Sequence, residues 1–139
     1  MSISADLLTY LKTVSAVTNI VGSGSAARIY PDAIKEGAAR PCIVFQRSTS
    51  GEMSGIGGGL GLYRTQFEIY SFAATRAAAD ELDEIIYDNL QGGNRTLGST
   101  IATEVYVGES DRSSGADSPV HGTDQYDYYA LTRYTIWHI

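Results

Sequence analysis

Apolar residues recur at helical spacing in two parts of the chain. The first set predicts a helix over about residues 4–14, and a short helical turn follows it. The second set predicts a helix over about residues 76–90, with Thr75 as its N-cap and Gly92-Gly93 at its end. The apolar positions that carry the two helices are Ile3, Leu7, Leu8, Leu11 and Val14, and Ala78, Leu82, Ile85, Ile86 and Leu90.

Alternation of apolar and polar residues predicts strands elsewhere. The clearest covers residues 62–72, where apolar Phe67 and Ile69 alternate with polar neighbours, a pattern typical of a half-buried strand in an antiparallel sheet. The order of elements predicts a single α+β domain over residues 1–139, in which two helices pack on an antiparallel or mixed β-sheet of about four main strands. Other strands are predicted over residues 28–30, 41–47, 101–107 and 126–138.

Two polar, glycine-containing segments, residues 48–61 and 108–125, are predicted to be flexible loops. The first invites comparison with a phosphate-binding loop. However, the position five residues after Gly55 is Leu60, where such a loop needs glycine, and a strand follows where the phosphate would need a helix N-terminus. The segment is therefore interpreted as the tip of a hairpin.

Charge and cysteine content narrow the classes of function. The 139 residues carry a formal net charge of −6, and the ten basic residues are scattered, which argues against direct binding of nucleic acid. The single cysteine, Cys42, lies in an apolar stretch and is expected to be a buried hydrophobe. No apolar run is long enough to cross a membrane, and the N-terminus lacks a signal-peptide pattern, so synthesis in the cytoplasm is expected.

No motif in the chain indicates catalysis, a cofactor or a metal ion. His121 lies in a polar loop and His138 in the last strand, without the convergent ligands or oriented base that such sites need. The carboxylate pairs Asp80-Glu81 and Asp83-Glu84 are expected on the exposed side of the second helix. The chain is therefore predicted not to be an enzyme.

What remains is a set of candidate binding surfaces. Asp80, Glu84 and Asp88 repeat every four residues and are expected to share one exposed helix face, which is either a solvated surface or a functional acidic one. The last strand is rich in aromatic residues, which are enriched where interfaces bury surface. The candidate interface residues are Ser54, Ile56 and Leu60 of the glycine-rich segment and Tyr126, Tyr128 and Trp137 of the last strand.

From Leu7 to Leu90 the chain resembles the tail-completion, or tail-terminator, family of long-tailed bacteriophages and gene transfer agents. The resemblance lies in the order and spacing of several short segments. They are Val21-Gly22, Arg28-Ile29-Tyr30-Pro31, Glu36-Gly37-Ala38-Ala39-Arg40-Pro41, Ile43-Val44-Phe45-Gln46, the strand Tyr63 to Tyr70 and the alanine-rich helix from Thr75 to Leu90.

The resemblance implies a structural protein of the virion. Such a protein forms a homo-hexameric ring at the head-proximal end of the tail, stops growth of the tail-tube protein and joins the tail to the head connector or stopper protein. DNA passes through without specific binding, and an acidic wall would disfavour its adhesion. If Asp80, Glu84 and Asp88 do not line that channel, the candidates become Glu104, or Glu109 with Asp111.

Two other readings stay open beside this one. The chain could be another ring in the same particle, a head–tail connector or minor tail component. It could also be a small-molecule-binding α+β domain, although the residues indicate no apolar pocket with convergent polar groups.

Overall fold

The computed structural model describes three α-helices and a seven-stranded mixed sheet. The helices are α1 (Ile3–Thr13), α2 (Ser15–Val21) and α3 (Arg76–Leu90). The strands are β1 (Ile29–Pro31), β2 (Cys42–Gly55), β3 (Gly58–Ala73), β4 (Gly92–Leu97), β5 (Thr100–Tyr106), β6 (Arg112–Pro119) and β7 (Tyr126–His138). The structure describes residues 3–32, 39–55, 58–97, 100–108, 111–119 and 126–138.

The ends of the helices follow from local chemistry. The backbone N–H of Ala78 donates to Thr75 Oγ1 at 3.2 Å, which confirms Thr75 as the N-cap of α3. Helix α2 ends at Gly22, whose φ of 91° is readily adopted only by glycine. A Cβ at this position would also lie 3.2 Å from the carbonyl oxygen of Ala26. The N-terminal end predicted for α3 is therefore confirmed.

Strand β7 pairs with three other strands of the sheet, β3, β5 and β6. The strand order is β1-β2-β3-β7-β5-β4, and β6 also pairs with β7. One edge of β7 pairs with β3 along nearly its whole length, from Tyr128 to His138. The other edge is shared, because β6 pairs with its N-terminal half and β5 with its C-terminal half. All of these pairs are antiparallel, whereas β1 runs parallel to β2.

The helices cover one face of the sheet, and the main core lies between the helices and that face. On β3, Thr65, Phe67 and Ile69 are fully buried, while Arg64 is exposed. This confirms the alternation predicted for residues 62–72. From β7, Thr132, Tyr134 and Ile136 point to the same helix-covered face, together with Leu82, Ile86 and Leu90 of α3.

Several sequence predictions of the fold need correction. The sheet has more than about four strands, because β4 and β6 were not predicted, and there are three helices where two were expected. Residues 48–55 and 58–61 are strands and not a loop, because β2 extends to Gly55 and β3 begins at Gly58. They form a hairpin, as the interpretation of the segment as a hairpin tip expected, and residues 56–57 lie outside the described residues. In residues 108–125, the eight residues of β6 form a strand, while residues 109–110 and 120–125 lie outside the described residues.

Tyr134 sets an alkaline limit on the stability of this core. Burial raises the pKa of its hydroxyl well above the ordinary value of 10.0, and the nearby Asp83 carboxylate adds to this effect. Because the folded state holds the proton more tightly than the unfolded chain, the stability from this group is complete below about pH 10 and falls as the pH rises above it.

We therefore expect the melting temperature of Tyr134→Phe to fall less than that of the wild type when the pH is raised from about 8 to about 11. Tyr106→Phe is the matched control, because Tyr106 is 53% exposed and its hydroxyl is not in the core. Circular dichroism melts across this pH range give the measurement. An equal loss in all three proteins would contradict the assignment of the alkaline limit to Tyr134.

Candidate functional site

The exposed face of α3 carries a stripe of carboxylates. Asp80, Glu84 and Asp88 are all exposed, as their spacing predicts, and Glu81 is exposed beside them. We call these four residues the acidic stripe. Arg76, in the first turn of the same helix, lies 6.0 Å above the ring of Tyr128 on β7. Exposed carboxylates therefore run along this side of α3 from Asp80 to Asp88.

Asp83 corrects the prediction that both carboxylate pairs are exposed. Its side chain points towards the sheet and is buried, although the neighbouring Glu84 is exposed. The hydroxyl of Thr132, on β7, donates to Asp83 Oδ1 at 2.7 Å, and Arg112 Nη2 donates to Oδ2 at 2.7 Å. Two bonds to two different strands thus satisfy a buried carboxylate, which would otherwise be costly to keep charged.

Arg112, the first residue of β6, ties that strand to α3. Its Nη2 also donates to Glu84 Oε1 at 2.8 Å, and its guanidinium lies 4.3 Å above the ring of Tyr87. Burial alone would lower the pKa of Arg112, but the hydrogen bonds and charges of Asp83 and Glu84 outweigh it and raise the pKa. The side chain therefore stays cationic and joins two carboxylates and an aromatic ring.

A shallow recess of about 380 Å³ opens beside this connection. Asp80 and Glu84 of the stripe form one side of it, and the exposed serines at the start of β6 form the other. Arg112 neutralises part of the charge, since it binds both Asp83 and Glu84. The recess is lined by Asp80, Asp83, Glu84, Arg112, Ser113, Ser114 and Ala130.

A cluster of aromatic rings lies on the sheet face that the helices do not cover. The ring centroids of Tyr70 and Phe72 are 5.8 Å apart, and Tyr129 lies about 6 Å from both, at 6.0 and 6.1 Å. Val44 and the buried thiol of Cys42 pack with them, which confirms Cys42 as a small buried hydrophobe. Burial and the neighbouring Glu68 raise the pKa of Tyr70, so its hydroxyl keeps its proton at neutral pH.

The side chains that could suggest chemistry have structural surroundings. His138 is buried, its Nε2 lies 2.8 Å from Thr65 Oγ1, and its ring stacks on Tyr63. His121 lies outside the described residues. Across the part of the chain that the structure describes, no three His, Cys, Asp or Glu side chains group as metal ligands. No helix in that part is long and apolar enough to span a membrane.

Comparison with protein families now adds to this geometry. Residues 5–126 match the model of the family described as Tail completion protein gp17. The chain belongs to the tail completion protein family. Membership confirms the resemblance seen from Leu7 to Leu90 and extends it over β4, β5 and β6. The chain is therefore a structural protein of a phage-like tail.

The fold of this tail completion protein also occurs in a solved particle. A chain from the virion of a native gene transfer agent (GTA) particle superposes with a TM-score of 0.60 and 16% sequence identity. The match covers 98% of this chain and 95% of that chain. A search among curated proteins found no match. At this low identity the likeness shows a shared fold over nearly the whole length of both chains.

The predicted interface residues of the tail completion protein do not form one patch. Tyr128 and Trp137 lie on opposite faces of β7, and Tyr128 packs against small residues, including Ala73 and Ala79, on the helix-covered face. The backbone of Ser54 pairs with Gly59 in the β2–β3 hairpin. The side chains of Ser54, Leu60 and Tyr126 and the whole of Ile56 lie outside the described residues. A role of these six residues in interfaces stays a prediction.

Arg112→Ala tests the connection between β6 and α3. In this variant the buried Asp83 carboxylate loses the hydrogen bond from Arg112 and keeps the one from Thr132. We expect the free energy of unfolding to fall by about 2–3 kcal/mol, because a buried charge loses its partner. Urea denaturation monitored by circular dichroism gives this quantity.

Glu84→Gln is the matched control for Arg112→Ala. It removes only the exposed ion pair with Arg112, which contributes about 0–1 kcal/mol. If both variants lose the same small amount of stability, the Arg112–Asp83 pair does not hold β6 on α3.

Proposed function

We propose that this tail completion protein acts as a tail terminator, a homo-hexameric ring at the head-proximal end of a phage-like tail. The ring ends growth of the tail tube, joins the tail to the head connector or stopper protein and lets DNA pass through its centre. Membership of the tail completion family is the observation that carries the proposal. The family is structural, which supports a role without catalysis, and the lack of enzymatic activity stays a prediction.

The acidic stripe on α3 is the proposed lining of the channel. Four exposed carboxylates on one helix face, in a chain of net charge −6, repel the phosphates of passing DNA and so prevent adhesion. Glu84 contributes less than the others, because Arg112 binds it. Asp80, Glu81 and Asp88 therefore carry most of the field of the stripe.

The alternative channel residues fit less well. Glu104 is exposed, but it lies on the sheet face that the helices leave open. Asp111 accepts a hydrogen bond from the backbone N–H of Gly108 at 2.8 Å, and Arg133 lies 4.0 Å away, so its charge is partly compensated. Glu109 lies outside the described residues. The stripe on α3 is thus the strongest acidic surface among the candidates that the structure describes.

The mass of the protein in solution tests ring formation. When the protein is mixed with its tail-tube protein, we expect light scattering of the separated complex to give a mass that contains six copies of the protein together with its bound partner, because a template lowers the entropic cost of closing a ring. A monomer without that partner is compatible with the proposal. A monomer in its presence, under conditions where tubes form, would contradict it.

Charge reversal tests the acidic stripe. Asp80→Lys/Asp88→Lys spares the Arg112 contacts, so we expect normal folding, with each surface change costing less than about 0.5 kcal/mol. If the stripe lines the channel, DNA-delivering particles should fall at least about tenfold, because two new lysines per subunit attract the phosphates of the passing DNA. The measurement is the titre of DNA-delivering particles, compared with their number by electron microscopy.

Glu104→Lys is the control on the opposite side of the domain, and Asp88→Lys is its single-charge counterpart on the stripe. We expect Glu104→Lys to deliver DNA as the wild type does. If the stripe variants also deliver DNA at the wild-type level, the stripe is a solvated surface. If only Glu104→Lys fails, the channel lies on the helix-free side.

A further inference from the structure

Besides the terminal strands β1 and β4, two elements of the described sheet have a neighbour on one edge only: the outer part of the β2–β3 hairpin and strand β6. Strand β2 pairs with β1 only at residues 43–45, so the stretch from Gln46 to Gly55 has β3 as its single described partner. Strand β3 meets β7 only from Tyr63 onwards. Beyond that point the β2–β3 hairpin continues as a two-stranded ribbon, which we define by residues 53–55 and 58–62.

Such a ribbon is poorly supported within its own subunit. Two strands without a third are at best marginally stable in water. Gly55, Gly58, Gly59 and Gly61 add to the cost, because glycine loses more conformational freedom on ordering than any other residue. The ribbon therefore has the properties of an element that is completed by a partner.

Strand β6 is the second incomplete element. Among the described residues it pairs with β7 alone, so its other backbone edge is open. Its sequence, Arg-Ser-Ser-Gly-Ala-Asp-Ser-Pro, contains no β-branched or aromatic residue, so local preference does little to keep it extended. An open edge of this kind is a template for pairing with another strand.

The open edges of β2 and β6 lie on opposite sides of the same sheet. The open edge of β2 is on the β1 side, and that of β6 is on the side of β7 away from β3. A contact that joins unlike edges of two copies is heterologous, so it repeats from copy to copy and closes into a ring when the rotation allows. A contact between like edges would stop at a dimer.

We propose that the ribbon of one copy pairs, by backbone hydrogen bonds, with strand β6 of the next copy. The occupant of each open edge is thus a second copy of this chain. Main-chain pairing suits both partners, because one is rich in glycine and the other in small polar residues, with Ser113 and Ser114 exposed. The Arg112 contacts with α3 hold β6 in place for this pairing. The inference rests on the proposed ring and names the surface that builds it.

Two neighbouring proline variants provide the test. Along an edge strand, successive N–H groups point alternately to the paired strand and outwards, so one of Ser113 and Ser114 directs its N–H away from β7. Proline removes that donor without loss of a β7 bond, whereas proline at the other position breaks the sheet. We expect one of Ser113→Pro and Ser114→Pro to melt within about 3 °C of the wild type, and that variant to form at least about tenfold fewer rings. Ser113→Ala and Ser114→Ala, as controls, should form rings normally.

A variant with a shortened ribbon tests the other partner of the proposed pairing. It also tests the inference if neither proline variant folds. Glu52 and Tyr63 face each other in the hairpin, so residues 53–62 can be replaced by an Asn-Gly turn. We expect a folded protein that no longer forms rings with the tail-tube protein in negative-stain images. If this variant and the folded proline variant form rings as the wild type does, the inference is wrong and the proposed function stands. If the wild type itself forms no rings under these conditions, the proposed function fails first.

Discussion

The pairing of β7 with three other strands is the constraint on which the rest of the structure depends. Its fixed alternation places Thr132, Tyr134 and Ile136 under the helices and sends Tyr129 to the open face. Through Thr132 it also positions the buried carboxylate of Asp83, and through β6 it positions Arg112. The register of one strand therefore sets the core, the connection to α3 and the aromatic cluster together.

The parts of the fold with strong periodicity could be predicted from the sequence. Residues 76–90 match α3 because their apolar stripe and Thr75 cap act locally, and residues 62–72 alternate because one face of β3 is buried. Strands β4 and β6 could not, since both are polar or rich in glycine. They are extended because β5 and β7 offer backbone partners, which is a tertiary effect that local propensity does not record.

The same division applies to the functional surfaces. The exposure of Asp80, Glu84 and Asp88 follows from their four-residue spacing and was predictable. The burial of Asp83 was not, because its partners Arg112 and Thr132 lie far away in the sequence and meet it only when the sheet forms. The sequence does not distinguish the places of the tyrosines of β7, since Tyr134 lies in the core while Tyr129 lies on the helix-free face.

The chain belongs to the tail completion family, and we propose that it is a ring subunit at the head end of a tail. Cryo-electron microscopy of whole particles that contain the protein tests it most directly. We expect a single homo-hexameric ring between the tail tube and the head connector, with DNA or an open channel along its axis. Density for the chain elsewhere in the particle, or without rotational symmetry around the tail axis, would contradict it.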